Sequence, residues 1–274
     1  MKYLIDFIKG IVLGATTSVP GVSGGTMALI LDVYDKIIHS MSNLFKNFKK
    51  NGFFLFIIGI GMITGLFLAA PFVGYALEHY KYPALYFFIG IVFAGLPVLF
   101  KKANQGKKKN TDILFFVIGV LIIGGLLLFE HLYKGELFNL SGGLNIVDII
   151  ILFVSGIIIA IALILPGIST SFLLVVLGLY KPLIEAVKTK NIGFLLPVVI
   201  GTIFGIFATI EILEKMMNEK PRQTYLMILG FVVVSVIEVF PGIPTGINIL
   251  YSFLSFAIGY ILIYFTIKKQ KSLK

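Results

Sequence analysis

The chain has no cysteine, one arginine, and charge on only 13% of its 274 residues. Without cysteine there are no disulfides and no thiol chemistry, although the absence does not fix a redox compartment. So little charge excludes an ordinary soluble domain, in which about 25% of residues are charged. No Ser-His-Asp set and no His/Asp/Glu cluster at metal-ligand spacing occurs, and GVSGGT lacks the lysine and spacing of a P-loop. The sequence therefore calls for no metal and no cofactor.

What remains is apolar. Hydrophobic residues make up 58% of the chain, and the mean hydropathy is +1.02. Six runs, 53–77, 84–100, 112–130, 194–213, 225–240 and 247–266, approach the ~20 residues that a helix needs to cross a bilayer. Only short loops separate them. The reading is one all-α, polytopic membrane domain, 1–274. The first ten residues, MKYLIDFIKG, break their apolar run with Asp6 and Lys9, so they read as part of the mature fold and not as a signal peptide. The net charge of +10 lies in loops between spans. It serves orientation and implies no nucleic-acid partner.

The chain also repeats itself. SVPGVSGGTMALILDVYDKIIHSM (18–41) recurs as ILPGISTSFLLVVLGLYKPLIEAV (164–187), at an offset of 146, pairing Pro20 with Pro166, Ser23 with Ser169 and Tyr34 with Tyr180. Further on, GMITG (61–65) matches GTIFG (201–205), and KYPALYFFIG (81–90) matches KPRQTYLMILG (220–230). Two halves follow, 1–135 and 140–274. Each is expected to hold a broken apolar hairpin (3–40 and 147–186) and then three full spans. The second arms, 24–40 and 170–186, are marginal for a crossing, and Pro-Gly at each junction favours a turn. Re-entrant hairpins fit better than full crossings.

With the N-terminus in the cytoplasm and both hairpins re-entrant, cytoplasmic segments carry 18 of the 23 Lys and Arg. This is the bias that orientation requires, and it places both termini in the cytoplasm. An odd number of crossings per half inserts the halves in opposite directions. The expected architecture is an inverted-topology repeat, as in secondary transporters.

Each Pro-Gly turn is followed by small residues that open a helix: Ser23, Gly24, Gly25 and Thr26 in one half, Ser169, Thr170 and Ser171 in the other. Free N–H groups and a positive dipole end make such a terminus an anion site without a cationic side chain. The plainer alternative is a kink where helices pack closely, as Gly61/Gly65 and Gly201/Gly205 do most simply. Duplication in opposed hairpins favours a ligand site. Among intramembrane carboxylates, Asp32 lies deepest in a hairpin arm, and Glu211 and Glu238 lie near span ends, where snorkelling accounts for them. These three are the candidates for proton coupling. Arg222 lies in a cytoplasmic loop, either as an orientation charge or as a contact for a lipid phosphate.

These two motifs resemble those of the polyprenyl-phosphate transporter family of bacterial membrane proteins, and the similarity covers essentially the whole chain. The resemblance implies a flippase that returns undecaprenyl phosphate from the outer to the cytoplasmic leaflet for reuse in cell-wall polymer synthesis. It assigns the headgroup to Pro20, Gly21, Ser23, Gly24, Gly25 and Thr26 with Pro166, Gly167, Ser169, Thr170 and Ser171. PGISTS is also similar to the PG-x-S-R-S motif of undecaprenyl-pyrophosphate phosphatases. Here Thr170, and Gly24 in the other half, stand where those enzymes need arginine. The expectation is a transporter and not an enzyme, with a phosphatase-like enzyme and a carrier of a small soluble anion as the alternatives.

Overall fold

The computed structural model describes residues 2–19, 22–105, 108–132 and 145–272. Twelve α-helices and one 3-10 turn make up these residues, with no strand among them. The first half holds α1 (Lys2–Thr17), α2 (Gly24–Ile30), α3 (Tyr34–Ser42), α4 (Phe48–His79), α5 (Lys81–Ala103) and α6 (Ile113–Leu132). The second holds α7 (Ile146–Ile164), α8 (Thr170–Val176), α9 (Tyr180–Lys188), α10 (Ile192–Glu219), α11 (Pro221–Val239) and α12 (Asn248–Ser272).

By length and composition, α4, α5, α7, α10, α11 and residues 248–269 of α12 can each cross a membrane. The protein is therefore a multi-pass, all-helical membrane protein. This set of six differs from the six runs read in the sequence. It includes α7, whose 19 residues have a mean hydropathy of 3.0, and leaves out the shorter apolar stretch Ile113–Phe129 of α6. Length alone thus does not mark α7 as a short hairpin arm.

The second hairpin arms also differ from expectation. Neither 24–40 nor 170–186 forms one helix. Each breaks after seven residues, at Asp32 (φ +52°) and at Gly178 (φ +73°), which stand 146 positions apart. Both breaks are hydrogen-bonded helix ends. The N–H of Val33 donates to the Ala28 carbonyl and that of Asp32 to Leu29. Leu179 and Gly178 repeat the pattern onto Leu174 and Val175. This is the Schellman closure, which needs a left-handed residue just past the helix. Glycine enters that region without penalty, and aspartate is among the few other residues that tolerate it.

Long helices pair through glycine. Lipid tails are as apolar as leucine, so close backbone approach and dispersion must hold helices together in a membrane. Gly10 and Gly14 of α1 face Gly61 and Gly65 of α4 at separations that leave no room for a Cβ. Gly156 of α7 faces Gly201 of α10 in the same way. Gly90 of α5 lies on Phe256 of α12, and Gly230 of α11 lies on Phe116 of α6. The short helix α2 sits inside this frame, with Met27, Leu29 and Ile30 almost fully buried among Ile91 and Val92 of α5 and Ile228, Leu229 and Val232 of α11. Irregular backbone at its ends is enclosed by protein, as the absence of water in a bilayer core requires.

Candidate functional site

Both motifs begin a helix in the same way. Ser23 precedes α2 in an extended conformation (φ −76°, ψ 128°) and makes no side-chain cap. Its carbonyl accepts the Met27 N–H at 3.2 Å, as the Ser169 carbonyl accepts the Leu173 N–H at 3.1 Å. The first N–H groups of a helix have no intrahelical acceptor. Since α2 and α8 have seven residues each, their macrodipoles are short. The donors on offer are the individual N–H and hydroxyl groups.

The fold brings the two motifs together. A Cβ on Gly25 would stand 3.1 Å from the Cα of Pro166, so the helix start of one motif rests on the turn of the other. Gly167 takes φ +83° against the backbone of Phe231 and Val232, where any side chain would collide. Tyr34 donates its hydroxyl to the Ile164 carbonyl at 2.8 Å and closes the end of α7. Pro20 and Gly21 lie outside the described residues, as does the side chain of Ser171.

A cavity of about 930 Å³ opens where the motifs meet. Ser23, Gly24 and Gly25 line it from one side and Ser169 and Thr170 from the other, with Glu238 of α11 in its wall. The rest is largely apolar, and Leu163, Val175 and Tyr180 of its lining are exposed at the protein surface. Among the described residues no lysine or arginine lines it. Thr26 turns to a smaller space beside Ser23 and Ser235. The Thr26 hydroxyl and that of Ser18 in the main cavity are buried without a hydrogen-bond partner among the described residues. Leaving such a group unpaired costs about 1–3 kcal/mol, so each hydroxyl marks a place for a polar ligand or water.

The three candidate carboxylates part company. Asp32 is the left-handed residue at the end of α2 and lies 3.4 Å from the Nζ of Lys102, which also binds Asp35 at 2.6 Å. It is a helix-end residue in an ion-pair cluster, not a carboxylate within a helix. Glu211 is exposed on α10. Only Glu238 reaches the cavity.

Arg222 is engaged elsewhere. Its Nε donates to Asp112 at 2.9 Å, and Nη1 donates to the Ala103 carbonyl and to Asn104, each at 3.1 Å. It staples the loop after α5 to the start of α11. The Asp112 carboxyl is held below the usual carboxylate range, chiefly by the Lys109 N–H, then by Gln223 and Arg222, against the opposing effect of burial. A lowered folded-state value means that its stabilisation is present above the ordinary value of 3.8 and is lost as pH falls through the lowered one. The expected result is a Tm gap between native protein and Asp112→Asn at pH 7 that closes under acid, followed by thermal unfolding in detergent.

Sequence reasoning missed Ser18 and the two tyrosines as cavity residues. The matching of Tyr34 with Tyr180 across the repeat was the available signal, and both line the cavity.

A model of the family described as undecaprenyl phosphate translocase-like matches residues 13–252. A polyprenyl-phosphate transporter of Staphylococcus aureus is 35% identical over 268 residues, covering 94% of this chain and 93% of that protein. One of Vibrio cholerae is 28% identical over 255 residues, covering 88% and 79%. No solved structure matches the chain.

Proposed function

Because this chain belongs to the undecaprenyl phosphate translocase-like family, we propose that it moves undecaprenyl or a related polyprenyl phosphate from the outer to the cytoplasmic leaflet, for reuse in cell-wall polymer synthesis. The observation that carries this reading is the single cavity shared by both Pro-Gly motifs. The phosphate sits between Ser23–Thr26 and Ser169–Ser171, where N–H and hydroxyl donors converge from two directions. The polyprenyl tail leaves past Leu163, Val175 and Tyr180, which are cavity residues exposed at the protein surface. A polar end joined to an apolar rim suits an amphipathic lipid better than a small soluble anion.

The two halves are inserted in opposite directions, each as a re-entrant hairpin with three spans. Three features support this: the charge distribution, the recurrence of helix lengths, and the way α1–α4 packing recurs in α7–α10. No hydrolysis is assigned, since Thr170 stands where a phosphoryl-transfer enzyme of the similar motif needs arginine. Glu238 shares the cavity with the anion, so its protonation lowers their repulsion and couples proton movement to headgroup movement.

Purified protein in liposomes is expected to accelerate leaflet exchange of a short-chain polyprenyl phosphate. It releases no phosphate from the pyrophosphate lipid. With Glu238→Gln the exchange rate no longer follows a pH gradient. Exchange no faster than in protein-free liposomes refutes the transporter reading.

A further inference from the structure

The repeat makes equivalent residues comparable, and in this structure they are treated unequally. Tyr34 and Ile38 of α3 are 3% and 2% exposed, whereas their equivalents in α9, Tyr180 and Ile184, are 43% and 41% exposed. The cause is a seam. α3 packs against α10, where Ile210 and Leu213 are buried at 1% and 3%, and α9 makes no comparable contact with α4. The α4 positions equivalent to Ile210 and Leu213 are Ala70, which is exposed, and Val73, which is half-buried.

The closed seam carries a polar latch. Glu214 of α10 accepts from Asn43 Nδ2 at 2.9 and 3.2 Å and lies 2.7 Å from His39 Nδ1, while Asn51 of α4 holds the Asn43 carbonyl at 2.8 Å. At the equivalent places in the other half stand Glu185 for His39, Thr189 for Asn43 and Gly74 for Glu214. A Cβ built on Gly74 meets nothing within 4 Å. The repeat thus pairs the carboxylate that α3 meets with a glycine that has open space around it.

We propose that the α3–α10 seam is one of two gates, and that in the alternative state α9 closes onto α4 around Gly74 while the Glu214 latch opens. The proposal rests on the inverted-repeat reading given above. In an inverted repeat, exchanging the conformations of the halves turns a cavity open to one side into one open to the other. In that state α9 covers the open part of α4 at Ala70 and Gly74, bringing Tyr180 and Ile184 to the burial that Tyr34 and Ile38 already have. His39, Asn43 and Glu214 become gate residues for transport, outside the headgroup site.

A chain without cysteine makes the test direct. Asn43→Cys with Glu214→Cys, joined by a short bifunctional thiol reagent, is expected to lower polyprenyl-phosphate exchange at least tenfold, with a reducible linker restoring it. Gly74→Cys with Thr189→Cys is expected to cross-link at least fivefold above the control pair Gly59→Cys with Thr189→Cys, and more again when Glu214→Gln weakens the latch. A reciprocal yield no higher than the control overturns the gate, as does native exchange by protein locked at 43 and 214. Cross-linking yield is read without any lipid. Intact reciprocal cross-linking without lipid exchange retires the substrate and keeps the gate, whereas lipid exchange without it does the reverse.

Discussion

Gly25→Val is expected to reduce polyprenyl-phosphate exchange in liposomes by at least tenfold. A Cβ alone at this position stands 3.1 Å from Pro166 Cα and 3.3 Å from its nitrogen, and these are backbone atoms that cannot rotate away. Valine adds two methyl groups to a contact already tighter than ordinary packing. Overpacking of this kind costs about 1–3 kcal/mol, and the strain falls where the two motifs rest on each other. Relief comes by parting the motifs, which moves Ser23 and Gly24 away from Ser169 and Thr170 across the shared cavity. Gly25→Ala is expected to lie between native and valine. Gly59→Ala on α4, where a Cβ meets nothing within 4 Å, is expected to leave exchange within twofold of native. Native exchange by a folded Gly25→Val protein would show that the motifs need not touch for transport.

The second large effect is expected from Ser23→Ala combined with Ser169→Ala. Both hydroxyls belong to residues lining the shared cavity. Among the described residues no lysine or arginine does, so under the proposed function neutral donors hold the phosphate. A hydrogen bond to a charged group contributes about 1.5–3 kcal/mol, and tenfold in affinity corresponds to about 1.4 kcal/mol. Each single variant is therefore expected to weaken binding of the phosphate lipid roughly ten- to hundredfold, and the double variant by at least a hundredfold. Binding is measured by titrating short-chain polyprenyl phosphate into detergent-solubilised protein, with the matching polyprenol as the uncharged control. Polyprenol affinity is expected to stay within twofold, because the tail contacts are apolar and untouched. Equal losses for both lipids would place the serines in the framework and not at the headgroup.

Much of this was legible in the linear chain because it depends on composition and period. Apolar runs near the bilayer thickness must become helices, since backbone polar groups have no other partner there. Pro-Gly within an apolar run favours a turn. The duplication of SVPGVSGG as ILPGISTS was visible because both copies keep Pro-Gly and the serine two residues on, Pro20, Gly21 and Ser23 in one and Pro166, Gly167 and Ser169 in the other. The breaks at Asp32 and Gly178 were not legible. A left-handed residue in an otherwise apolar arm gives only a weak local signal, and one of the pair is an aspartate that reads as a functional carboxylate. Asp32, Glu211 and Glu238 each read in the sequence as an acid at or within an apolar stretch.

Sorting them took tertiary structure. Which acid meets Lys102, which faces outward and which enters a cavity depends on neighbours far away in the chain, and no local pattern encodes those neighbours. The same holds for Arg222, held by Asp112 from 110 positions away, and for the unequal burial of Tyr34 and Tyr180. By itself the sequence determined a helical membrane protein with a recurring Pro-Gly motif, because hydrophobic length and backbone geometry are local properties. Only the tertiary structure decided that the motifs share one cavity, that Glu238 alone of the three acids lines it, and that one seam is closed while its twin is not. Those outcomes are set by contacts between helices, where packing and desolvation act across the whole fold.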